Sequence, residues 1–174
     1  DSQLIIGETA TVTLEFSEAV ISFASSDITA PNGSLPTMSS SDNITWTGTF
    51  TPTTNTEDAS NTFSLATSYT DTAGNSGPAA TSSNYEVETL APSVNTFTMS
   101  DTALKIGDNA TVTLVFSETV ISFSSSDDIT APNGTLSTMS SSDNITWTGT
   151  FTPNNSSEDS SNTLSLSTSY TDTA

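Results

Sequence analysis

Apolar and polar residues alternate along residues 10–18, and the same pattern returns almost unchanged at residues 110–118. In the first copy, Val12, Leu14 and Phe16 alternate with threonine and glutamate. A period of two is typical of a β-strand that buries one face and exposes the other. The pattern therefore predicts a core strand that occurs twice in the chain.

Residues 44–50 and 62–69 alternate in the same way, and the Asn-Gly pair at Asn32 marks a hairpin turn between β-forming residues. No window of helical length has a period of 3.6 residues. About seven short strands per copy, separated by turn residues, predict an all-β fold of two tandem immunoglobulin-like antiparallel β-sandwiches. We expect Trp46 and its copy Trp147 at the centres of the two cores because each is a large aromatic on a core strand.

The repeat also predicts the domain boundaries. Residues 1–73 align with residues 101–174 with one residue inserted near Asp127. Self-similarity at a period near 100 residues indicates two folded copies, which we place at residues 1–90 and 91–174.

Each predicted domain lacks one strand of the repeat. The first strand of the second copy, residues 93–99, has no counterpart in the first copy, and residues 74–88, which include the last strand, have none in the second. We therefore expect both domains to be truncated at the chain ends. The short linker with Pro92 is expected to hold the two domains end to end.

Composition narrows the functional classes. The chain has one Lys or Arg against 20 Asp and Glu, so its net charge is −19. Such a chain repels nucleic acid and anionic membrane surfaces, so its small partners should be cations. The absence of His and Cys excludes Ser-His-Asp and Cys-His catalysis and ordinary zinc sites, and predicts a protein that is not an enzyme. No apolar stretch is long enough to predict membrane insertion.

Carboxylates are expected to gather at the poles of the sandwiches. Following the direction of successive strands places Glu88, Glu118 and Asp172 together at the junction of the domains, and Glu18 with Asp71 at the equivalent pole of the first copy. Oxygen-only ligands in irregular loops favour Ca²⁺ as a structural ion. The alternative is that these side chains are solvated rim charges.

Three further aspartates have a plainer interpretation. Asp27, Asp127 and Asp128 precede a short Ile-Thr strand and are interpreted as loop caps rather than ligands.

Several motifs resemble the bacterial immunoglobulin-like repeats of giant surface adhesins and biofilm-associated proteins, including those of the RTX type. They are TALKIGDNATVTLVFSE (102–118), DITAPNGTL (128–136), TFTP (49–52) and YTDTAGN (69–75). The resemblance implies an extracellular stalk on the bacterial cell surface, whose partners are neighbouring repeats of the same protein. Several such arrays bind Ca²⁺ at domain junctions, a role that would fall here on Glu18, Asp71, Glu88, Glu118 and Asp172. The linker departs from the family pattern, since it reads Val-Glu-Thr where such repeats often have Val-Asp-Thr.

Two functions follow as hypotheses. The first is a non-catalytic structural extender of a large adhesin, rigidified by Ca²⁺. The alternative is a subunit of an extracellular filament or sheath, in which identical neighbouring subunits exchange strands to complete each sandwich. A carbohydrate-binding or protein-binding module is less favoured because Trp46 alternates as a core residue instead of joining an exposed aromatic cluster.

Overall fold

The computed structural model describes residues 2–174, so Asp1, where the first predicted domain begins, lies outside the described residues. The chain divides into two compact units, one extending to Leu90 and the other spanning Ala91–Thr173, called domain 1 and domain 2 below. Both are built almost entirely of β-structure, which confirms the predicted fold class. In the described part, the helical segments are a 3₁₀ turn at Ser25–Asp27 and a single turn at Ser125–Asp128.

The strands of domain 1 are short and follow the alternating segments of the sequence. They are β1 (Gln3–Leu4), β2 (Ala10–Glu15), β3 (Val20–Ile21), β4 (Ile28–Thr29), β5 (Gly33–Ser34), β6 (Met38–Ser39), β7 (Thr45–Pro52), β8 (Glu57–Asn61), β9 (Ser64–Leu65), β10 (Thr70–Asp71), β11 (Ala80–Thr81) and β12 (Tyr85–Glu88).

Domain 2 repeats the central part of this order. Its strands are β13 (Val94–Met99), β14 (Ala110–Phe116), β15 (Ile129–Thr130), β16 (Gly134–Leu136), β17 (Thr146–Pro153) and β18 (Ser165–Leu166).

The central strand pair is identical in the two domains. In domain 1, β2 runs antiparallel to β7 from Ala10 opposite Phe50 to Glu15 opposite Thr45. In domain 2, β14 pairs with β17 in the same way, beginning with Ala110 opposite Phe151. The register is fixed because a slip of one residue would move every core side chain to the solvent face.

The strands that flank the central pair differ between the two domains. In domain 2, β13 covers the outer edge of β14, so the sheet order is β13-β14-β17-β16. In domain 1, the order is β2-β7-β5, with β6 also pairing with β7, and no strand in the described part of that domain covers the outer edge of β2.

The strands outside the central sheet are more complete in domain 1 than in domain 2. In domain 1, β12 lies between β1, to which it is parallel, and β8, to which it is antiparallel. Two more small sheets, β11-β9-β4 and β10-β3, complete this layer. In the described part of domain 2, β15 pairs with β18, and there is no strand equivalent to β11 or β12.

Each core is centred on phenylalanine and aliphatic residues and not on tryptophan. Phe50 in domain 1 and Phe116 in domain 2 have no exposed surface, whereas Trp46 and Trp147 are half-buried and pack against the edge of the cluster. The expectation that tryptophan forms the centre is therefore wrong. In the described residues, both indole Nε1–H groups are buried without a hydrogen-bond partner, so each ring carries an unpaired donor at its position beside the core. Each indole instead makes an edge contact with a phenylalanine ring, Phe23 or Phe123, at a centroid distance of 4.9 Å.

None of the helical segments in residues 2–174 has the length and apolar character needed to cross a membrane.

Candidate functional site

The two acids predicted at the pole of domain 1 lie on neighbouring segments. Asp71 ends β10 and pairs with Val20 of β3, and Glu18 lies two residues before Val20 in the bend that follows β2. Glu18 is exposed and Asp71 is half-buried. The backbone therefore places both acids at the same end of the sandwich.

The carboxylate of Asp71 is already engaged by its own turn. It accepts hydrogen bonds from the backbone N–H groups of Ala73 (2.8 Å) and Asn75 (2.9 Å) and from the Asn75 side-chain amide (2.7 Å). The side-chain amide of Asn75, followed by these backbone donors, lowers the pKa of Asp71. Since a carboxylate offers about four lone-pair directions, about one is left for another ligand.

Glu88 lies at the end of β12, opposite Glu57 of β8. Its Oε1 accepts a hydrogen bond from the backbone N–H of Leu90 at 2.9 Å, which fixes the side chain against the start of the linker. A cation near Glu88 would relieve the repulsion between the two facing glutamates.

In domain 2, Glu118 occupies the bend after β14 and is half-buried, whereas Asp172 is only 6% exposed. Asp172 follows Thr171, which forms a β-bridge with Ile121. This matches the placement of Glu18 and Asp71 in domain 1. Across residues 2–174, the acids do not form a group of three or more that could hold a metal ion. The Ca²⁺ site therefore remains a prediction.

Asp27 and Asp128 cap the short turns in which they lie, as the sequence indicates. Asp27 accepts the Ala24 N–H at 2.9 Å, and Asp128 accepts the Ser124 N–H at 2.8 Å. Burial acts to raise the pKa of Asp128, but hydrogen bonds from Ser124, Ser169 and Ser167 outweigh it, so the pKa is lowered. These carboxylates serve the local fold.

Asp42 and Asp143 have a structural role that the sequence reasoning missed. The carboxylate of Asp42 accepts the N–H groups of Ile44 and Thr45, each at 2.9 Å, and Asp143 accepts the equivalent groups in domain 2. These hydrogen bonds lower the pKa of both aspartates, with the bond from the strand residue Thr45 or Thr146 contributing most. The repeated Ser-Ser-Asp-Asn sequence is the signal that could have indicated these turns.

The family comparison agrees with this architecture. The family model described as the bacterial Ig-like domain matches residues 1–87 and, a second time, residues 88–174. The chain belongs to the bacterial Ig-like domain family. The resemblance to bacterial immunoglobulin-like repeats is thus confirmed, while the adhesin, biofilm and RTX-type associations stay predictions. Neither the curated proteins nor the solved structures searched gave a match to this sequence.

Bacterial Ig-like domains are generally structural units without catalytic activity, and they typically occur in extracellular or surface proteins. Tandem copies of such a domain indicate a structural repeat.

Proposed function

We propose that this chain is part of the stalk of a large secreted or cell-surface bacterial adhesin, in which each Ig-like domain acts as a spacer. The observation that carries the proposal is the tandem repetition of one domain with the same central strand register, joined by a short linker that contains Pro92. A chain of such units gains length with each copy and needs no reactive site in any of them.

The surface chemistry supports an extended extracellular role. The outward-facing residues of the central strands are mostly threonines, such as Thr47 and Thr49 on β7, and the net charge of −19 disfavours self-association. A spacer benefits from this combination because its surface has to remain soluble over a long array.

We further propose that Ca²⁺ binds at the domain junctions and stiffens the array. Glu118 and Asp172 would supply ligands at the pole of domain 2, Glu18 and Asp71 would do so in domain 1, and Glu88 would contribute from the linker side. Carboxylate oxygen is the ligand type that Ca²⁺ prefers. Asp71 could add one oxygen, since its turn occupies the other positions.

Thermal unfolding and small-angle X-ray scattering of the full chain, with CaCl₂, MgCl₂ or chelator, test this proposal. We expect Ca²⁺ to raise the melting temperature and narrow the distribution of interatomic distances, and Mg²⁺ to do neither at the same concentration. Glu118→Gln should remove the part of the response that comes from domain 2, and Glu158→Gln, an exposed acid outside the predicted set, is the matched control. An equal response to chelator in the parent chain and in Glu118→Gln would contradict the calcium site.

The alternative proposal is a filament or sheath subunit completed by strand exchange between neighbouring copies. The outer edge of β2 carries no strand in the described part of domain 1, although β13 covers the same edge of β14 in domain 2. An open edge is a template for a strand from another subunit. Sedimentation velocity over a hundredfold concentration range tests this alternative, since a filament subunit forms larger species and a spacer remains a monomer.

A further inference from the structure

Two asparagines in each copy of the repeat lie in the motif Asn-x-Ser/Thr, the acceptor sequence for N-linked glycosylation. One motif is Asn-Ile-Thr, at residues 43–45 and 144–146. The other is Asn-Gly-Ser at residues 32–34, which becomes Asn-Gly-Thr at residues 133–135. The side-chain environments of the two motifs differ, so the structure separates an available acceptor from an occupied one. Three further matches, which occur only in the second copy, begin at Asn109, Asn154 and Asn155.

The Asn-Ile-Thr motif lies in a surface turn in both domains. Asn43 precedes β7, and Asn144 occupies the equivalent position before β17. Both residues have a left-handed backbone, with φ angles of 60° and 57°. Both are exposed, and among the described residues neither side-chain amide has a hydrogen-bond partner, since the bond from each residue to the preceding serine is made by the backbone N–H. The Nδ2 atom of each asparagine is therefore available to another molecule.

The backbone of the motif is held by the fold. The carbonyl of Asn43 accepts a hydrogen bond from the backbone N–H of Val20 at 3.0 Å. The N–H of Thr45 donates to the carboxylate of Asp42 at 2.9 Å, and the same two bonds recur in domain 2. Thr45 is exposed, whereas Ile44 between the two motif residues is half-buried. The turn thus presents to solvent the two side chains that define the motif.

The asparagine of the Asn-Gly motif is occupied by its own domain. Nδ2 of Asn32 donates to Oδ2 of Asp58 at 2.8 Å and to Oδ1 of Asn61 at 2.7 Å. Nδ2 of Asn133 makes the equivalent two bonds in domain 2. An amide nitrogen has two hydrogens, and both are used here. Asn32 would have to lose both hydrogen bonds before its nitrogen could react.

A left-handed backbone by itself favours asparagine, so conformation alone does not indicate a modification site. Asn55 separates conformation from motif. It is also exposed, and its φ angle is 54°, but the next two residues are threonine and glutamate. Asn55 is therefore an internal comparison that has the turn geometry without the acceptor sequence.

We propose that Asn43 and Asn144 are sites of N-linked glycosylation. The co-reactant is a glycosyl diphosphate, a sugar whose anomeric carbon carries a diphosphate leaving group. Nδ2 attacks that carbon, so a C–N bond forms as the C–O bond to the diphosphate breaks. The diphosphate keeps the bonding electron pair, Nδ2 gives one proton to a base of the transferase, and nothing is oxidised or reduced.

A glycan at this position leaves the packing of the domain intact. Asn43 and Thr45 belong to neither hydrophobic cluster of domain 1, and the hydrogen bonds that hold the turn use backbone groups of the motif. The proposal does not depend on the stalk role or on calcium binding.

Peptide mapping by mass spectrometry of the full protein, isolated from the cells that produce it, tests the proposal. We expect glycans on Asn43 and Asn144 and none on Asn32, Asn133 or Asn55. Single hexoses would indicate a nucleotide diphosphate sugar as donor, and one uniform oligosaccharide would indicate a lipid diphosphate; both results support the site. Unmodified Asn43 and Asn144, or equal modification of Asn32 and Asn133, would overturn it.

A substitution in the motif tests how the site is recognised. Thr45→Ala, made in the same cells, should abolish the glycan on Asn43 and leave the one on Asn144. The turn should still form, because Thr45 contributes its backbone N–H to the bond with Asp42. Thr47→Ala is the matched control, since Thr47 is exposed on the same strand but lies outside the motif. A glycan retained on Asn43 in Thr45→Ala would contradict the proposal.

The hydrogen bonds of Asn32 predict a selectivity that depends on folding. The unmodified full chain, incubated with UDP-glucose and a soluble N-glycosyltransferase that recognises Asn-x-Ser/Thr, should accept glucose at Asn43 and Asn144 but not at Asn32. A synthetic peptide of residues 28–38, which has the same motif without the fold, should accept glucose at Asn32. Equal modification of Asn32 in the folded chain and in the peptide would overturn the selection of sites.

Discussion

Leu14 and Leu114 occupy the same position in the two copies of the core strand, yet Leu114 has no exposed surface and Leu14 is only half-buried. Leu14 lies opposite Trp46, and Leu114 lies opposite Trp147, so the pairing on the inner edge is the same. The difference arises on the other edge, where β13 pairs with β14 and adds Phe97 and Met99 to the core. The presence of β13 thus increases the burial of Leu114, which belongs to the neighbouring strand β14.

The difference in burial predicts that replacing each leucine by alanine lowers the free energy of unfolding by a different amount. Leu114→Ala should lower the free energy of unfolding of domain 2 by about 3–5 kcal/mol, since it leaves a cavity in a closed core. Leu14→Ala should cost domain 1 about 1–2 kcal/mol, because less apolar surface is lost from the buried state.

Each domain contains one tryptophan, so denaturant titration can follow the two domains separately. Trp147→Phe leaves Trp46 as the probe of domain 1, and Trp46→Phe leaves Trp147 as the probe of domain 2. Equal losses for the two leucine substitutions would show that β13 does not close the core of domain 2.

The central strands and the fold class could be predicted from the sequence because they depend on local alternation. β14 and β17 follow the apolar positions of residues 110–116 and 146–153, and each Asn-Gly pair lies at the start of β5 or β16. The unequal burial of the two copies could not be predicted from local pattern, because it depends on which distant strand fills each edge.

The candidate site was predictable only in part. The sequence places Glu18 and Asp71 at one end of domain 1, and the backbone register agrees with this placement. It does not reveal that Asn75 and Ala73 already bind the Asp71 carboxylate, because such a turn depends on backbone angles. The central position given to Trp46 was wrong because size alone does not determine which aromatic side chain of β7 is enclosed, and Phe50 is the one without exposed surface.

We expect domain 1 to lose stability at alkaline pH because of Tyr85. Burial, together with the nearby negative charge of Asp58, raises the pKa of Tyr85 to about 12. The folded state therefore holds the phenolic proton more tightly than the unfolded state, whose tyrosine pKa is about 10. The contribution of the protonated Tyr85 side chain to the stability of domain 1 is therefore complete below about pH 10 and is lost as the pH rises towards about 12.

Tyr85→Phe should remove this pH dependence. It should also lower the stability of domain 1 at neutral pH by about 1 kcal/mol, since the hydrogen bond to the Pro31 carbonyl is lost. Urea titrations at a series of pH values, monitored by Trp46 in the Trp147→Phe background, measure both effects. An unchanged loss of stability between pH 10 and 12 in Tyr85→Phe would assign the effect to another group.

Gly33 and Gly134, the first residues of β5 and β16, test how tightly the neighbouring phenylalanine ring is packed in each domain. A Cβ at Gly33 would lie 2.0 Å from the Phe50 ring, and one at Gly134 would lie 2.1 Å from the Phe151 ring. Phe50 is held between Phe63 and Tyr85, whereas Phe151 lines an open groove of about 430 Å³ in domain 2 and has space to move. A Cβ at either glycine also lies 2.7 Å from a backbone carbonyl oxygen, that of Thr51 or Thr152, so both substitutions are destabilising. The ring contact makes Gly33→Ala the more costly of the two, by about 1–2 kcal/mol.

The two domains can again be followed separately through their tryptophans. A larger loss for Gly134→Ala than for Gly33→Ala would contradict an open groove beside Phe151.

The central claim is that the two domains share the same central strands but differ in their flanking strands, with β12 present in domain 1 and β13 in domain 2. Amide hydrogen exchange of the full chain tests this claim most directly. We expect protection of β7 and β17 in both domains. Within that scaffold, amides of β8 (Glu57–Asn61) should be protected while those of residues 158–162 exchange rapidly, and β14 should be better protected than β2. Equal protection of β8 and residues 158–162, together with equal protection of β2 and β14, would contradict the account.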